Sequence, residues 1–339
     1  MNIEERLQAL TAQNKELGKF IASTQLSGAG SSRQYFRVTT TTGSYIACNG
    51  TNIDENKAFL YFAAHFKHAN LPVPRVFAQE QPQPWLYIIE DFGNIDLLAY
   101  KQNLSESECE HIYQQALMDL QKFQIQGANN LDYSRCFNRS QFDEVAMKWD
   151  FYYFKYYYLK LTSLECSDQM LENDCNTLIN FLLRAPRSYC MYRDFQARNI
   201  LVHENSLHYI DFQGAMQGAL QYDVVSLLYQ AKANLSAPQR ERLLDFYIDS
   251  LPQSVCTSAC EFRELYEGFV FIRILQTLGA YGYRGFIQRK QHFMESMAPA
   301  LENLKQQSEK IHALISIPYL NSCIQQLPIL NNEQLIVNN

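Results

Sequence analysis

Three oxygen-bearing side chains stand at short intervals in the segment YRDFQARNILVHENSLHYIDF, residues 192–212. Asn199 follows Asp194 by five positions, and Asp211 comes twelve positions later inside an apolar run. A carboxylate can orient a hydroxyl group and accept its proton, and hard cations such as Mg²⁺ prefer carboxylate and amide oxygens. Phosphoryl transfer needs both functions. The pattern therefore predicts Asp194 as the catalytic base and Asn199 and Asp211 as metal ligands.

The alternative interpretation is that these residues only form turns, in which Asp and Asn are common. Together, however, they flank a predicted hairpin with strands at 200–203 and 207–212. A second predicted hairpin near the N-terminus contains the Gly- and Ser-rich turn Gly28-Ala29-Gly30-Ser31-Ser32, whose backbone amides can cradle phosphates. The combination favours phosphoryl transfer over an assembly of unrelated turns.

The chain resembles the aminoglycoside phosphotransferase-like kinases, a branch of the protein-kinase-like fold that includes choline and homoserine kinases. Within that superfamily it looks most like the anomeric amino-sugar kinases of cell-wall recycling, which phosphorylate N-acetylmuramate and N-acetylglucosamine at the C1 hydroxyl. The likeness extends over residues 20–315 and is carried by four segments: SRQYFRV (32–38), YRDFQARNILV (192–202), YIDFQGAMQGALQYDVVSLL (209–228) and LQTLGAYGY (275–283).

The resemblance implies an α+β, bilobal protein-kinase-like fold. Its expected parts are a small N-terminal β-sheet lobe with one helix at 1–91, which binds nucleotide, and a larger, mainly helical lobe at 92–317, which carries catalysis and the acceptor. A loosely held tail is expected at 318–339. Apolar periodicity agrees, with three strands separated by turns within 25–50 and mostly helices after residue 105.

The resemblance also implies roles for individual residues. The nucleotide-binding residues would be Gly28, Gly30, Ser31, Ser32, Arg33 and Glu90, the last within the hinge at 88–91 that meets adenine. The acceptor-binding residues would be Arg198, Tyr281, Tyr283 and Arg284. Arg193 and Asp223 would brace the catalytic loop. Two of these assignments have structural alternatives, because an Asp such as Asp223 is favoured at a helix N-terminus, and Gly279 to Arg284 suit helix packing followed by a cap.

Two residues of the catalytic segments depart from the pattern of the resemblance. Tyr192 stands where many relatives have His, so the hydrogen bonds that support the loop are expected to differ. Gln213 replaces the glycine of a D-F-G triplet, a replacement that is common in the superfamily.

A third departure lies in the strand Tyr45-Ile46-Ala47-Cys48, which has no lysine. Protein kinases place a lysine there to hold the α- and β-phosphates. Arg33, Arg37 and Lys57 are candidate substitutes, and Arg33 ranks first because it follows the Gly/Ser-rich turn. The alternative for Arg33 is a solvated turn residue.

The run WDFYYFKYYYLK, residues 149–160, is unusually aromatic. Aromatic side chains bury large areas and are common in cores, and they also form platforms for sugars or bases. Because the aromatic residues surround the predicted helix, the core interpretation is favoured over a platform.

Composition limits the class of protein. The net charge of −6 argues against nucleic-acid binding, which needs a basic surface. Nine scattered cysteines without a zinc-like spacing, no apolar signal core and no membrane-spanning run predict a cytoplasmic protein with reduced thiols. The expected partners are a small-molecule acceptor, ATP or GTP, and Mg²⁺, with neither membrane nor nucleic acid; the oligomeric state stays open.

The leading functional hypothesis is an ATP-dependent kinase for a small-molecule hydroxyl, with the anomeric C1 hydroxyl of an N-acetylated amino sugar favoured. The same chemistry on choline, homoserine or an aminoglycoside is the first alternative. A catalytically inactive, nucleotide-binding pseudokinase is the second, motivated by Tyr192 and by the missing lysine. The retention of Asp194, Asn199 and Asp211 favours the active enzyme.

Overall fold

The computed structural model describes residues 2–26, 33–256 and 258–329. Of the predicted nucleotide-binding residues, Gly28, Gly30, Ser31 and Ser32 lie outside this part of the chain.

The chain forms two compact units, each built from two segments. The first unit contains Met1–Ser140 and Tyr192–Met216, and the second contains Gln141–Met191 and Gln217–Asn339. This division does not follow the lobe boundary predicted after residue 91, and the predicted lobes stay a prediction.

The described residues form short strands and longer helices. The strands are β1 Phe20–Leu26, β2 Gln34–Thr40, β3 Ser44–Asn49, β4 Val76–Gln79, β5 Leu86–Glu90, β6 Tyr189–Met191, β7 Ile200–His203, β8 Ser206–Tyr209 and β9 Met216–Gly218. The helices are α1 Ile3–Thr11, α2 Ile53–His68, α3 Leu97–Tyr100, α4 Glu106–Gln121, α5 Glu144–Tyr157, α6 Asp168–Leu182, α7 Leu220–Leu228, α8 Ala237–Ser250, α9 Ala259–Gly282, α10 Gln291–Met294, α11 Met297–Leu314 and α12 Pro318–Gln326.

A five-stranded antiparallel sheet with the order β1-β2-β3-β5-β4 lies in the first unit. Alternate side chains of its strands point to one face, where they pack with apolar residues of α1 and of the turn after it. The buried members of this cluster are Leu7, Leu10, Leu17, Phe36, Val38, Ala47, Leu86 and Ile88. The three strands predicted within 25–50 and the turn at Thr42-Gly43 are confirmed, although β1 begins earlier, at Phe20, and the predicted Gly/Ser-rich turn lies outside the described residues.

The hairpin of β7 and β8 also belongs to the first unit, and aromatic side chains attach it to the helices there. The ring of Phe66 in α2 lies 5.2 Å from that of Phe123 and 5.5 Å from that of Phe212, just beyond β8. The hydroxyl of Tyr209 donates a hydrogen bond of 3.0 Å to the buried carboxylate of Asp119 on α4. These contacts fix the strand end that leads into Asp211.

The long helix α9 packs against α5, α7 and α11 in the second unit. Gly279 and Gly282 make the approach to α5 possible. A Cβ atom added at Gly279 would lie 2.5 Å from the backbone carbon of Tyr153, and one at Gly282 would overlap the carbonyl oxygen of Tyr157. The structure therefore confirms the helix-packing interpretation of these glycines.

Two sequence expectations need correction in this unit. The tail was expected to be loosely held from residue 318, but α12 buries Leu320, Cys323 and Ile324. The aromatic run at 149–160 was expected to be core, yet Trp149 is 51% and Tyr156 is 56% exposed, although other rings of the run are fully buried. The reason is that α5 packs against neighbours on one side only.

Candidate active site

Asp194 lies in a tight loop of the first unit whose backbone is held at both ends. The preceding residue, Arg193, has φ of 79°, a left-handed conformation that non-glycine residues adopt only under constraint. The hydroxyl of Tyr192 donates a hydrogen bond of 2.7 Å to the carbonyl oxygen of Ile210. This bond ties the loop to the residue just before Asp211.

Asn199 connects the loop with Asp211. Its side-chain nitrogen Nδ2 lies 2.9 Å from the backbone oxygen of Asp194 and 3.3 Å from Oδ2 of Asp211. Its own backbone oxygen accepts a hydrogen bond of 3.0 Å from the amide of Ile210. The structure therefore brings the three predicted chemical residues together, although their roles stay predictions.

Asp211 carries a strained backbone and a perturbed carboxylate. Its φ is 70°, and its Oδ1 accepts a hydrogen bond of 2.7 Å from Nε2 of Gln213. Burial raises the pKa of Asp211, and the negative charge of Asp194 raises it further, against the hydrogen bond from Gln213 and the charges of Arg198 and Arg33. Two carboxylates that repel each other in a partly buried place are a favourable environment for a cation.

The oxygen donors of this site fit a magnesium ion. Asp211 offers a carboxylate, and Asn199 offers the amide oxygen that remains after its nitrogen has donated twice. Among the described residues, no three His, Cys, Asp or Glu side chains form a metal-binding group. Mg²⁺ does not need three such protein ligands, because it is usually held by one or two carboxylates together with substrate phosphates and water.

Arg33 is buried and therefore not the solvated turn residue of the alternative interpretation. It is 4% exposed, and its Nη2 lies 3.3 Å from Oε1 of Glu55 in the first turn of α2. Sequence reasoning missed Glu55, because an acidic residue in the first turn of a helix has an ordinary explanation. Arg37, the second candidate for the missing lysine, binds the carboxylate of Asp91 with two hydrogen bonds of 2.7 and 3.0 Å.

The predicted hinge at 88–91 overlaps the end of the inner strand β5. Glu90 at its end lies opposite Tyr45 of β3, and its carboxylate accepts a hydrogen bond of 3.1 Å from the amide of Arg75. The same carboxylate lies 3.6 Å from Nζ of Lys67. These two contacts give the carboxylate of Glu90 partners within the first unit. The nucleotide-binding role of Glu90 stays a prediction.

The second unit contains the other residues assigned to acceptor binding. α9 continues into a π-helix at Tyr283–Ile287, a departure from α-helix that is frequent at functional sites. The ring of Tyr283 lies 6.3 Å from that of Tyr153 and 5.0 Å from that of Tyr157, so two rings of the aromatic run join it. Tyr281 and Arg284 instead contact the ring of Phe293, at 5.8 and 5.2 Å.

Arg198 lies in the first unit, exposed, in the turn that leads to Asn199. Asp223 is completely buried in the first turn of α7 in the second unit, where its negative charge adds to the effect of burial in raising the pKa of Tyr247. Because the carboxylate of Asp223 is fully buried, Asp223 is not simply a solvated residue at a helix N-terminus. The loop-bracing roles of Arg193 and Asp223 stay predictions.

Comparison with known proteins gives a family match and two curated relatives. The family model described as the phosphotransferase enzyme family matches residues 23–255. The N-acetylmuramate/N-acetylglucosamine kinase of Neisseria meningitidis serogroup B is 28% identical over 203 residues, which cover 59% of this chain and 58% of the relative. The protein of the same name from Pseudomonas aeruginosa is 26% identical over 227 residues, covering 65% and 63%. The matches thus span less than two thirds of the relatives' length.

Solved structures share the fold. A choline kinase from Cryptosporidium parvum superposes with a TM-score of 0.63 at 14% identity, covering 95% of this chain and 99% of that one. An amicoumacin kinase in complex with AMP-PNP and Ca²⁺ gives a TM-score of 0.63 at 13% identity, with 94% and 96% covered. The predicted protein-kinase-like α+β fold is therefore confirmed. Within the described residues, no helix has the length and apolar character needed to cross a membrane.

Proposed function

Because the chain belongs to the phosphotransferase enzyme family, we propose that it is a small-molecule kinase that transfers the γ-phosphoryl group of ATP to a hydroxyl group. The observation that carries this proposal is the hydrogen-bonded set of Asp194, Asn199 and Asp211. A catalytic carboxylate and two hard oxygen donors in one connected group are what this reaction requires.

The proposal assigns separate roles to the three residues. Asp194 orients the acceptor hydroxyl and receives its proton as the oxygen attacks phosphorus. Asn199 and Asp211 hold the metal, which when bound neutralises the charge of the β- and γ-phosphates. The loop with Gly28, Gly30, Ser31 and Ser32 contributes backbone amides to the phosphates, and the hinge around Glu90 meets the base.

A nucleotide and a divalent cation as cofactors suit this donor set, and the solved relative with AMP-PNP and Ca²⁺ supports the same combination. ATP and Mg²⁺ are our specific choices, with GTP as the alternative. Arg193 shapes the catalytic loop through its left-handed backbone, and Arg198 contributes positive charge beside Asp211. The cytoplasmic location predicted from the sequence remains part of the proposal.

For the acceptor we favour an N-acetylated amino sugar phosphorylated at its anomeric C1 hydroxyl. The names of the two curated relatives support this choice. The half-buried rings of Tyr283, Tyr153 and Tyr157 offer faces against which a sugar ring can stack. Arg284 offers a planar guanidinium suited to a carboxylate.

The fold does not decide between the favoured acceptor and its rivals, because choline kinases and aminoglycoside phosphotransferases are structural neighbours of this chain. The rival of a different class is an inactive nucleotide-binding protein. One experiment separates them: purified protein is incubated with Mg²⁺, ATP or GTP, and each of N-acetylmuramate, N-acetylglucosamine, choline, homoserine and an aminoglycoside. We expect nucleotide consumption with an amino sugar and a phosphorus NMR signal of an anomeric phosphate. Nucleotide binding without turnover on any acceptor would favour the inactive protein.

A further inference from the structure

The thiols of Cys166 and Cys323 lie against each other in the second unit, although 157 positions separate the two residues along the chain. Cys166 directly precedes Ser167, the N-cap of α6, and Cys323 lies within α12. The thiol of Cys166 donates a hydrogen bond to the sulfur of Cys323, with 3.5 Å between the two sulfur atoms. A disulfide bond measures about 2.0 Å, so the two sulfur atoms need to approach each other by about 1.5 Å to become joined.

Hydrogen bonds hold α12 beside the start of α6. The amide of Leu320 on α12 donates a buried hydrogen bond of 2.7 Å to Oδ2 of Asp174 on α6. The amide of Ser167 donates another of 2.7 Å to the hydroxyl of Tyr319 on α12. Both cysteines therefore lie on backbone that neighbouring hydrogen bonds fix in place, and the contact between their thiols is part of the packed structure.

The two thiols differ in their access to solvent. Cys166 is partly exposed, whereas Cys323 is 5% exposed. Burial raises the pKa of Cys323, and the hydrogen bond with Cys166 raises it further, whereas a hydrogen bond with Tyr319 lowers it. A dissolved oxidant therefore reaches Cys166 first, and Cys323 is placed to react with the oxidised sulfur. The hydroxyl of Tyr319 already accepts the amide proton of Ser167, so its own proton is free to stabilise the Cys323 sulfur as a thiolate forms there.

We propose that Cys166 and Cys323 form a reversible disulfide in the presence of a peroxide, with Cys166 as the attacking thiol and Cys323 as the resolving thiol, and that this bond clamps α12 to the start of α6. The proposal is independent of the proposed kinase function. In the cytoplasm predicted from the sequence, a bond of this kind would be transient, as is usual for disulfides in a reducing compartment.

The chemistry takes two steps. The sulfur of Cys166 attacks one oxygen of hydrogen peroxide, the O–O bond breaks, and the leaving hydroxide takes the thiol proton as water, which leaves a sulfenic acid on Cys166. The sulfur of Cys323 then attacks the Cys166 sulfur, the S–O bond breaks, and a second water leaves as the S–S bond forms. The two thiols together lose two electrons and two protons, and one peroxide is reduced to two waters.

The first test uses the reduced wild-type protein treated with stoichiometric hydrogen peroxide. We expect the intact mass to fall by two hydrogen atoms, and peptides from a digest without reductant to show a cross-link between Cys166 and Cys323. Dithiothreitol should reverse both changes. The oxidised protein should unfold about 5 °C above the reduced protein, because a bond that closes a long loop restricts the unfolded chain. These measurements need no variant, so a folding defect cannot obscure them.

Substitutions separate the roles of the two thiols. Cys323→Ala removes the resolving thiol, so Cys166 should stop at the sulfenic acid, which a 1,3-dione reagent labels. Cys166→Ser should abolish the cross-link and leave Cys323 unlabelled. Cys260→Ser removes an exposed thiol of the same unit and is the control, in which the cross-link should form as in the wild type. Tyr319→Phe should slow the second step by about fivefold, the size of one ordinary hydrogen bond, so that the sulfenic acid accumulates before the disulfide closes.

The proposal is overturned if peroxide that already oxidises Cys260 produces no cross-link between Cys166 and Cys323. The contact would then be the packing of two small apolar side chains. Labelling of Cys323 in the Cys166→Ser variant would refute the order of the two steps, and an unfolding temperature that does not change on oxidation would refute the clamp. An unchanged rate of closure in Tyr319→Phe would remove Tyr319 from the reaction. None of these outcomes depends on phosphoryl transfer, so the proposed kinase function is tested separately.

Discussion

The side-chain amide of Asn199 donates to the carboxylate of Asp211, with 3.3 Å between Nδ2 and Oδ2. The same nitrogen also lies 2.9 Å from the backbone oxygen of Asp194. With its nitrogen committed to these two acceptors, Asn199 has its amide oxygen as the remaining polar atom of the side chain. One residue thereby links the loop of Asp194 to the carboxylate of Asp211, so that the three side chains form one hydrogen-bonded group.

Replacing the proposed base should stop the reaction without harming the protein. We expect Asp194→Asn to lower kcat by about a hundredfold or more, since the amide cannot accept the proton of the acceptor hydroxyl. Mg-ATP affinity and the unfolding temperature should stay near the wild-type values. Steady-state kinetics with the best acceptor of the panel provide the measurement, and wild-type turnover in this variant would refute the assignment.

Removing the carboxylate proposed to bind the metal should affect only ligands that carry phosphates. Asp211→Ala is expected to weaken Mg-ATP binding strongly and adenosine binding little, because adenosine has no phosphates for the metal to bridge. Calorimetric titration with both ligands measures the difference. Asp54→Ala, which removes an exposed carboxylate on α2, serves as the control. Equal losses for both ligands would contradict the metal role.

The hydroxyl of Tyr192 should support the catalytic loop by a measurable amount. Tyr192→Phe removes the 2.7 Å hydrogen bond to the carbonyl oxygen of Ile210, and we expect the free energy of unfolding to fall by about 1 kcal/mol. A lower kcat should accompany this change, because the bond ties the Asp194 loop to Asp211. Denaturant unfolding and kinetics are compared with Tyr100→Phe, whose hydroxyl has no hydrogen-bond partner among the described residues. Similar values for the two variants would mean that the bond has no role.

The grouping of Asp194, Asn199 and Asp211 could be predicted from sequence because the three residues lie on one continuous segment at short intervals. The ion pair of Glu55 with Arg33 could not be predicted, because the two residues lie on different elements. Each of them alone has an ordinary explanation. The sequence also did not indicate that one side of the aromatic run is exposed. Apolar periodicity reports which side of a helix is buried only when the other side is polar.

Short elements were missed for a different reason. β6 and β9 have three residues each, and β4 has four, shortly after two prolines, so their sequences carry too little pattern for recognition. The helix α12 did carry a signal, since Pro318 occupies its first turn, a favoured position for proline. The several Asn and Gln residues of the tail instead favoured the prediction of a loosely held segment.

The glycine at the end of α9 should be intolerant of any side chain. Gly282→Ala would drive a methyl group into the carbonyl oxygen of Tyr157, so we expect a loss of about 1 to 3 kcal/mol from the free energy of unfolding. Gly214→Ala is the matched control, because its added methyl group would meet Arg193 at an ordinary 3.6 Å. Thermal or denaturant unfolding compares the two, and equal stability would show that α5 and α9 tolerate separation.

The acceptor assignment makes the most specific prediction. N-acetylmuramate differs from N-acetylglucosamine by a lactyl group whose carboxylate could pair with the guanidinium of Arg284. Arg284→Ala should therefore raise KM for N-acetylmuramate by about tenfold while changing KM for N-acetylglucosamine little, and kcat should remain similar for both sugars. Arg284 contacts the ring of Phe293, so Arg289→Ala, which removes an exposed cation after the same π-helix, is the control for general loss of charge.

The outcome separates the acceptor from the chemistry. An equal rise of KM for both sugars would indicate that Arg284 supports the aromatic group of Tyr153, Tyr157 and Tyr283 rather than the lactyl carboxylate. If neither sugar is phosphorylated while choline or homoserine is, the amino-sugar assignment is wrong. The roles of Asp194 and Asp211 would then be tested on the new acceptor, because they depend on phosphoryl transfer to a hydroxyl group and not on which molecule carries it.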